Sequence, residues 1–163
     1  MPTPPVPPAI AAAIQVQSLD GALAATLEHF DCQAGTIHIL PADATDNLLL
    51  LAAHRGLPPP IVTIVKSVPI GKGIAGLAAE RREPITICNL QTDTSGHARP
   101  AARTTGMEGS LAVPILDPEG KLRGVLGIAK ATAYDWSDVE TKELLAIGTA
   151  LSTVAASAEM VPE

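Results

Sequence analysis

The sequence predicts an α+β fold, an antiparallel sheet flanked by helices from the two ends of the chain, and three observations predict it. First, "GTIHIL" (35 to 40) and "NLLLLAAH" (47 to 54) are strand-like and separated by the turn formers "PADATD", which makes them an antiparallel hairpin. Second, "SLAVPIL" and "LRGVLGIA" flank "DPEG", with Asp, Pro and Gly at the first, second and fourth positions of a type I turn. Third, apolar residues return at helical spacing near each end, as Leu19, Leu23, Leu27 and Phe30 and then as Leu144, Ile147, Leu151 and Val154.

The elements follow in order. "PTPPVPP" has proline at five positions, lacks those backbone donors and favours an extended form, so residues 1–8 read as a flexible or weakly docked tail. A single domain is expected over 9–158, with a short tail at 159–163. "AIAAAIQVQ" looks helical, and a second helix restarts at Ser18 as N-cap. After the first hairpin, "GLPPPIVTIV" contains a short crossing segment, and "KSVPI" leads into a glycine-rich turn. The brief helix "AGLAAERRE" ends at Pro84, and "PITICNL" is the next strand. Residues 91 to 109, "QTDTSGHARPAARTTGMEG", form a long polar connection of the kind that often serves as a binding loop or lid. After the second hairpin, Ser137 and Glu140 form an S-x-x-E capping box that opens the final helix.

Bulk properties narrow the function. The 163 residues are 47% hydrophobic with a mean hydropathy of +0.27, enough for one core. A net charge of −6 and a pI near 5.1 leave no basic surface for a phosphate backbone, and a 2% aromatic content leaves no row of base-stacking platforms. Nucleic acid is therefore not an expected partner. Cys32 and Cys88 have no C-x-x-C spacing and form no metal cluster with the histidines, so a reducing cytoplasm is the expected location. The uncharged start has no basic n-region, and no apolar run is long enough to span a membrane.

"GKGIAG", residues 71 to 76, spells the G-x-G-x-x-G of a dinucleotide loop, with Asp93 near the place of the ribose-binding acid. Its context argues against that reading. Pro69 precedes it, the following helix is short, and "DPEG" makes an antiparallel pair where a Rossmann fold needs parallel strands. Tight turning and close packing explain the glycines instead.

The succession of a helix, a hairpin, "IGKGIAGLAAERREPITICNLQTD", a long loop, "GSLAVPILDPEGKLRGVLGIAK" and a final helix from "WSDVETKELLAIGTALSTVA" resembles a GAF domain over residues 18 to 157. Gly71, Gly73 and Gly76 match the family's glycine turn. The resemblance implies a central antiparallel sheet of about six strands with the N- and C-terminal helices on one face. On the other face it implies a small-molecule pocket roofed by the long loop, and it implies terminal helices that pair two subunits.

The resemblance does not choose the ligand. An enzymatic branch resembles free methionine-(R)-sulfoxide reductase, whose cysteines lie in or just after the long loop; the corresponding stretch here has none. Cys88, within "ITICNL", and Cys32, at the end of a helix, read as buried, inert small hydrophobes. No loop cysteine is placed for a bilin thioether, the NKFDE-type signature of cyclic-nucleotide binders is not recognisable, and only His97 offers haem an axial ligand. The cofactor is left open.

The polar candidates cluster in the loop. Arg99 and Arg103, four residues apart, share one side of a helical turn and would clamp a carboxylate or phosphate, with the alternative that they pair with Asp93 and Glu108. His97, Ser110, Asn89 and Asp93 complete the candidate site. Asn89 stands where the family often has an acid, which weakens transfer of the reductase substrate. His38 faces away from Ile37 and Ile39, toward pocket, core or solvent, and Met107 lines the loop's apolar underside or fills a gap. Tyr134 and Trp136 anchor the final helix. No Ser/His/Asp set, P-loop or paired carboxylates emerge, so no catalysis is expected. The expectation is a cytoplasmic sensory module that binds a small, anionic molecule and signals through a homodimer or a separate protein. The rival is a ligand-free dimerisation module.

Overall fold

The computed structural model describes residues 4–41, 46–98, 103 and 105–155. Along the chain run α1 (Pro8–Gln15), α2 (Leu19–Phe30), β1 (Ala34–Ile39), β2 (Leu48–Arg55), α3 (Pro59–Val65) and β3 (Ser67–Pro69). There follow α4 (Gly73–Arg81), β4 (Ile85–Ile87), β5 (Gly109–Leu116), β6 (Leu122–Lys130) and α5 (Asp138–Ala155). The strands form one six-stranded sheet in the order β3-β2-β1-β6-β5-β4, and every neighbouring pair is antiparallel. Both predicted hairpins are present, as β1 with β2 and β5 with β6.

Local chemistry starts and stops the helices. The Ser18 hydroxyl accepts from the Gly21 amide at 2.9 Å, the N-cap that opens α2. At its far end Asp31 turns left-handed, and Lys130 donates its Nζ to the carbonyls of Phe30 and Asp31. Ser137 and Glu140 exchange bonds of 3.0 and 3.1 Å, the reciprocal capping box that opens α5. Tyr134 donates to Glu140 at 2.7 Å and meets Trp136 edge-on, so both aromatics brace the start of that helix. In the β5–β6 turn, Asp117 Oδ1 accepts from the amides of Glu119 and Lys121 at 3.0 and 2.9 Å.

The period of two along each strand splits the sheet into unlike faces. Ile37, Leu126 and Val113 form one cross-sheet rung and are 0% exposed. They pack with the predicted stripes Leu19, Leu23, Leu27 and Phe30 of α2 and Leu144, Ile147, Leu151 and Val154 of α5, all buried. At Gly148, α5 lies so close to β5 that an added Cβ would stand 3.3 Å from the Pro114 carbonyl oxygen. Val6, within the proline-rich stretch, packs partly buried against the same core.

The short crossing segment within "GLPPPIVTIV" is helix α3, and the prolines at its start occupy positions that need no amide donor. Two local expectations need correction. Helix α4 begins at Gly73, two residues before the predicted "AGLAAERRE". The strand predicted over "PITICNL" ends at Ile87, so Cys88 is exposed rather than buried. Its backbone leaves the β5 ladder there, and the Cys88 carbonyl accepts from Tyr134 instead.

Candidate functional site

The face turned away from α2 and α5 is floored by small side chains. One rung runs Ala34, Ala129, Ser110, and the next runs Thr36, Gly127, Ala112. All six line a cavity of about 170 Å³. Room exists there because these positions stop at a Cβ or little more, while the opposite face carries Ile, Leu and Val. Ile61, Ile64 and Val65 of α3 close one side, Leu90, Thr105 and Met107 of the long connection contribute to the roof, and Lys72 to Ala75 bound the rim at the start of α4.

The turn into α4 explains the glycine motif. Gly71 and Gly73 have φ of +95° and +68°, and a Cβ on Gly76 would stand 2.5 Å from the Pro69 carbonyl oxygen. The Gly71 amide also closes on the Gly76 carbonyl at 2.8 Å. These residues aim the first turn of α4, which no side chain caps, at the cavity.

His38 is the polar centre of the cavity wall. It lies on β1, is 1% exposed, and its Nε2 stands 2.8 Å from the Val65 carbonyl oxygen. A carbonyl can only accept, so Nε2 carries the proton and Nδ1 of the neutral ring presents a lone pair. Nδ1 has no hydrogen-bond partner. Burial disfavours the imidazolium, and although the Val65 carbonyl pulls the other way, the pKa is lowered to about 4. The ring is neutral at physiological pH.

The loop candidates are distributed differently. Among the described residues Ser110 is the one of the six that lines the cavity, and Met107 lines it too. Arg99 lies outside the described residues. Arg103 is exposed and donates to the Asp93 backbone carbonyl at 3.0 Å, in place of the carboxylate pairing considered from sequence. The Asp93 carboxylate accepts from the amide and hydroxyl of Ser95, and the His97 amide donates to that hydroxyl at 3.2 Å. Asn89 bridges locally, donating to Glu108 at 3.2 Å and accepting from the Gln91 amide at 2.9 Å. His38 was singled out from sequence only for its alternation, and Lys72, Thr36 and Gly127 were missed. The available signal was small or polar residues two apart on three strands, Ala34-Thr36-His38, Ser110-Ala112 and Gly127-Ala129.

No group of three or more His, Cys, Asp or Glu among the described residues could hold a metal ion. No described helix is long and apolar enough to cross a membrane. Burial chiefly pushes the Cys32 thiol up to about 11, with the Lys130 charge opposing, so it stays protonated.

The fold has close counterparts among solved structures. The chain is similar to the GAF domain of an Acinetobacter phosphoenolpyruvate-protein phosphotransferase, at 24% identity and a TM-score of 0.73 over 91% of this chain and 89% of that one. The corresponding domain from Coxiella burnetii gives 23% and 0.72 over 91% of each chain. Free methionine-R-sulfoxide reductase from Neisseria meningitidis gives 17% and 0.71 over 91% and 86%. No curated protein matches the chain. The GAF domain family model matches residues 16–152, the span that carries the sheet, the glycine turn and most of α5. The chain belongs to the GAF domain family.

Proposed function

We propose that this protein is a sensory GAF domain that reversibly binds a small molecule in the cavity between the sheet and the α3–α4 side. The observation that carries this reading is the cavity itself, about 170 Å³ over the small side chains of β1, β5 and β6, with His38 in its wall. The lining is otherwise largely apolar, as small-molecule sites are. At about 170 Å³ its volume slightly exceeds that of the ~150 Å³ cavity known to take benzene, which suits a ligand of a few heavy atoms. Similar folds include both phosphotransferase GAF domains and sulfoxide reductases. The long loop here has no cysteine, which favours binding over thiol chemistry.

The architecture supports transmission. The three strands that floor the cavity carry α2 and α5 on their backs, and the close approach of Gly148 to Pro114 leaves α5 little slack. A ligand that shifts those strands would bias α5, and through it a second copy of the chain or a separate signalling protein.

The test is a thermal-shift screen of small organic acids, alcohols and amides on wild type and Gly127→Val. Valine at 127 grows from the floor into the cavity, and its Cβ meets the Thr36 hydroxyl at 3.3 Å, a group that can rotate aside. A binder at about 100 times its Kd stabilises by ~2.7 kcal/mol, and the variant should lose that shift. A screen in which no compound raises wild-type stability above the variant's overturns the reading.

A further inference from the structure

The cavity's walls are aliphatic, with Ile61 and Ile64 from α3, Ile74 from α4, and Leu90 and Met107 from the long connection, above a floor rich in alanine and glycine. Among the described lining residues Lys72 is the one formal charge, and it is exposed at the rim, where water solvates its ammonium. His38 adds no charge at physiological pH: its Nε2 is bonded to Val65, and its Nδ1 is buried. Polarity enters at the floor as two hydroxyls, Thr36 on β1 and Ser110 on β5. A hydroxyl donates or accepts as its partner requires and carries no charge.

A charged group moved from water into such a lining loses its hydration without gaining a buried counter-charge. A neutral molecule with a compact apolar body loses little hydration and gains contact with the walls. Resting on the binding reading above, we propose that the cavity selects an electrically neutral, compact molecule over its charged counterparts. The molecule has an aromatic or branched aliphatic body and one alcohol, phenol or amide group. The body sits against Ile61, Ile74 and Met107, and the polar group bonds the hydroxyl of Thr36 or Ser110. The sequence alone pointed instead to an anion held by Arg99 and Arg103. Of these, Arg103 donates to the Asp93 carbonyl and is not part of the cavity wall, and Arg99 lies outside the described residues.

Isosteric probes that differ in charge test the selection without depending on a variant's folding. Benzamide, benzoate and benzamidinium form one set; isobutyramide, isobutyrate and isobutyramidinium form another. Affinities come from NMR titration of the whole chain, with the methyl resonances of Ile61, Ile74 and Met107 reporting entry into the cavity. In a set that binds, the amide should bind about tenfold or more tightly than either charged member. Phenol and benzene probe the hydroxyl contact. One of Ser110→Ala and Thr36→Val should weaken phenol by about threefold or more relative to benzene.

A charged member that binds as tightly as its amide overturns the proposal, and loss of benzoate binding in Arg99→Ala would identify an anion site under the long loop. If neither variant changes phenol relative to benzene, the hydroxyl contact is overturned. If no probe moves the cavity methyls, hits from the thermal screen are titrated beside their charged or neutral counterparts. A neutral hit that outbinds its charged counterpart by the same margin supports the selection. A charged hit that outbinds its neutral counterpart overturns it and leaves the binding reading standing, and an empty screen overturns both.

Discussion

Burial holds the His38 imidazole neutral, its pKa lowered from 6.5 to about 4. As pH falls through that window, the unfolded chain takes up a proton that the folded ring refuses, so stability falls from pH 6.5 toward 4. At ~1.4 kcal/mol per unit the loss amounts to ~3 kcal/mol, and urea melts across the window should show that contribution missing from His38→Asn. The cysteines give a second residue-scale prediction. Cys88 is exposed, while the half-buried Cys32 thiol has its pKa raised to about 11. Maleimide followed by intact mass should label Cys88 in the native protein and Cys32 only on unfolding; rapid double labelling would contradict the packing around α2. At Gly76, an added methyl meets the Pro69 carbonyl at 2.5 Å, where backbone must move. Gly76→Ala should destabilise by ~1–3 kcal/mol, an overpacking cost read from the shift in denaturation midpoint.

At the scale of elements, helix ends and the sheet's two faces organise the molecule. Ser137→Ala removes the hydroxyl that accepts from Glu140 N and should cost ~1 kcal/mol. Lys130 is more consequential, because its ammonium binds carbonyls at the end of α2 and lies 4.6 Å from the Tyr134 ring centroid. Lys130→Met keeps the apolar stem but removes the cap and the cation–π contact, and should cost ~2 kcal/mol in chemical denaturation. A near-neutral result would mean that α2 and the Tyr134–Trp136 pair are held by apolar packing alone. Burial tends to raise the Glu140 pKa, but hydrogen bonds from Ser137 and Tyr134, with the nearby Lys130 charge, outweigh it and hold the carboxyl below its ordinary range.

At the scale of the whole molecule, one sheet separates a fully packed face from one that retains space. Leu151, 0% exposed beneath the sheet, belongs to the packed side, and Leu151→Ala should cost ~2–5 kcal/mol in equilibrium unfolding. Gly127→Val, on the open side, adds volume where a cavity already exists and should leave stability within about 1 kcal/mol while abolishing ligand shifts. A cavity that communicates with α5 should also slow hydrogen exchange beyond its lining when filled, reaching the α5 amides that face β5. Protection confined to α3, the start of α4 and the loop would mean that binding stops at the pocket.

The alternation in "GTIHIL" and "SLAVPIL", the "DPEG" turn, the Ser18 and Ser137 caps and the stripes of α2 and α5 act over a few residues, and for that reason the architecture was legible in the sequence. The glycine turn was legible as a constraint, and Pro69, the short helix behind it and the antiparallel "DPEG" hairpin separated it from a nucleotide loop. The candidate site was less legible. Polar residues in 91 to 109 drew attention because loops often bind ligands, yet Asp93, Ser95 and Arg103 bond within that loop. The cavity depends on strands distant in sequence placing Thr36, Gly127 and Ala112 on one rung. Period two tells which residues share a face, but not which face receives large helices and which keeps a void. That choice, and with it the pairing of His38 Nε2 with Val65 that leaves Nδ1 free, was decided only when α2 and α5 took one side of the sheet and α3 and α4 the other.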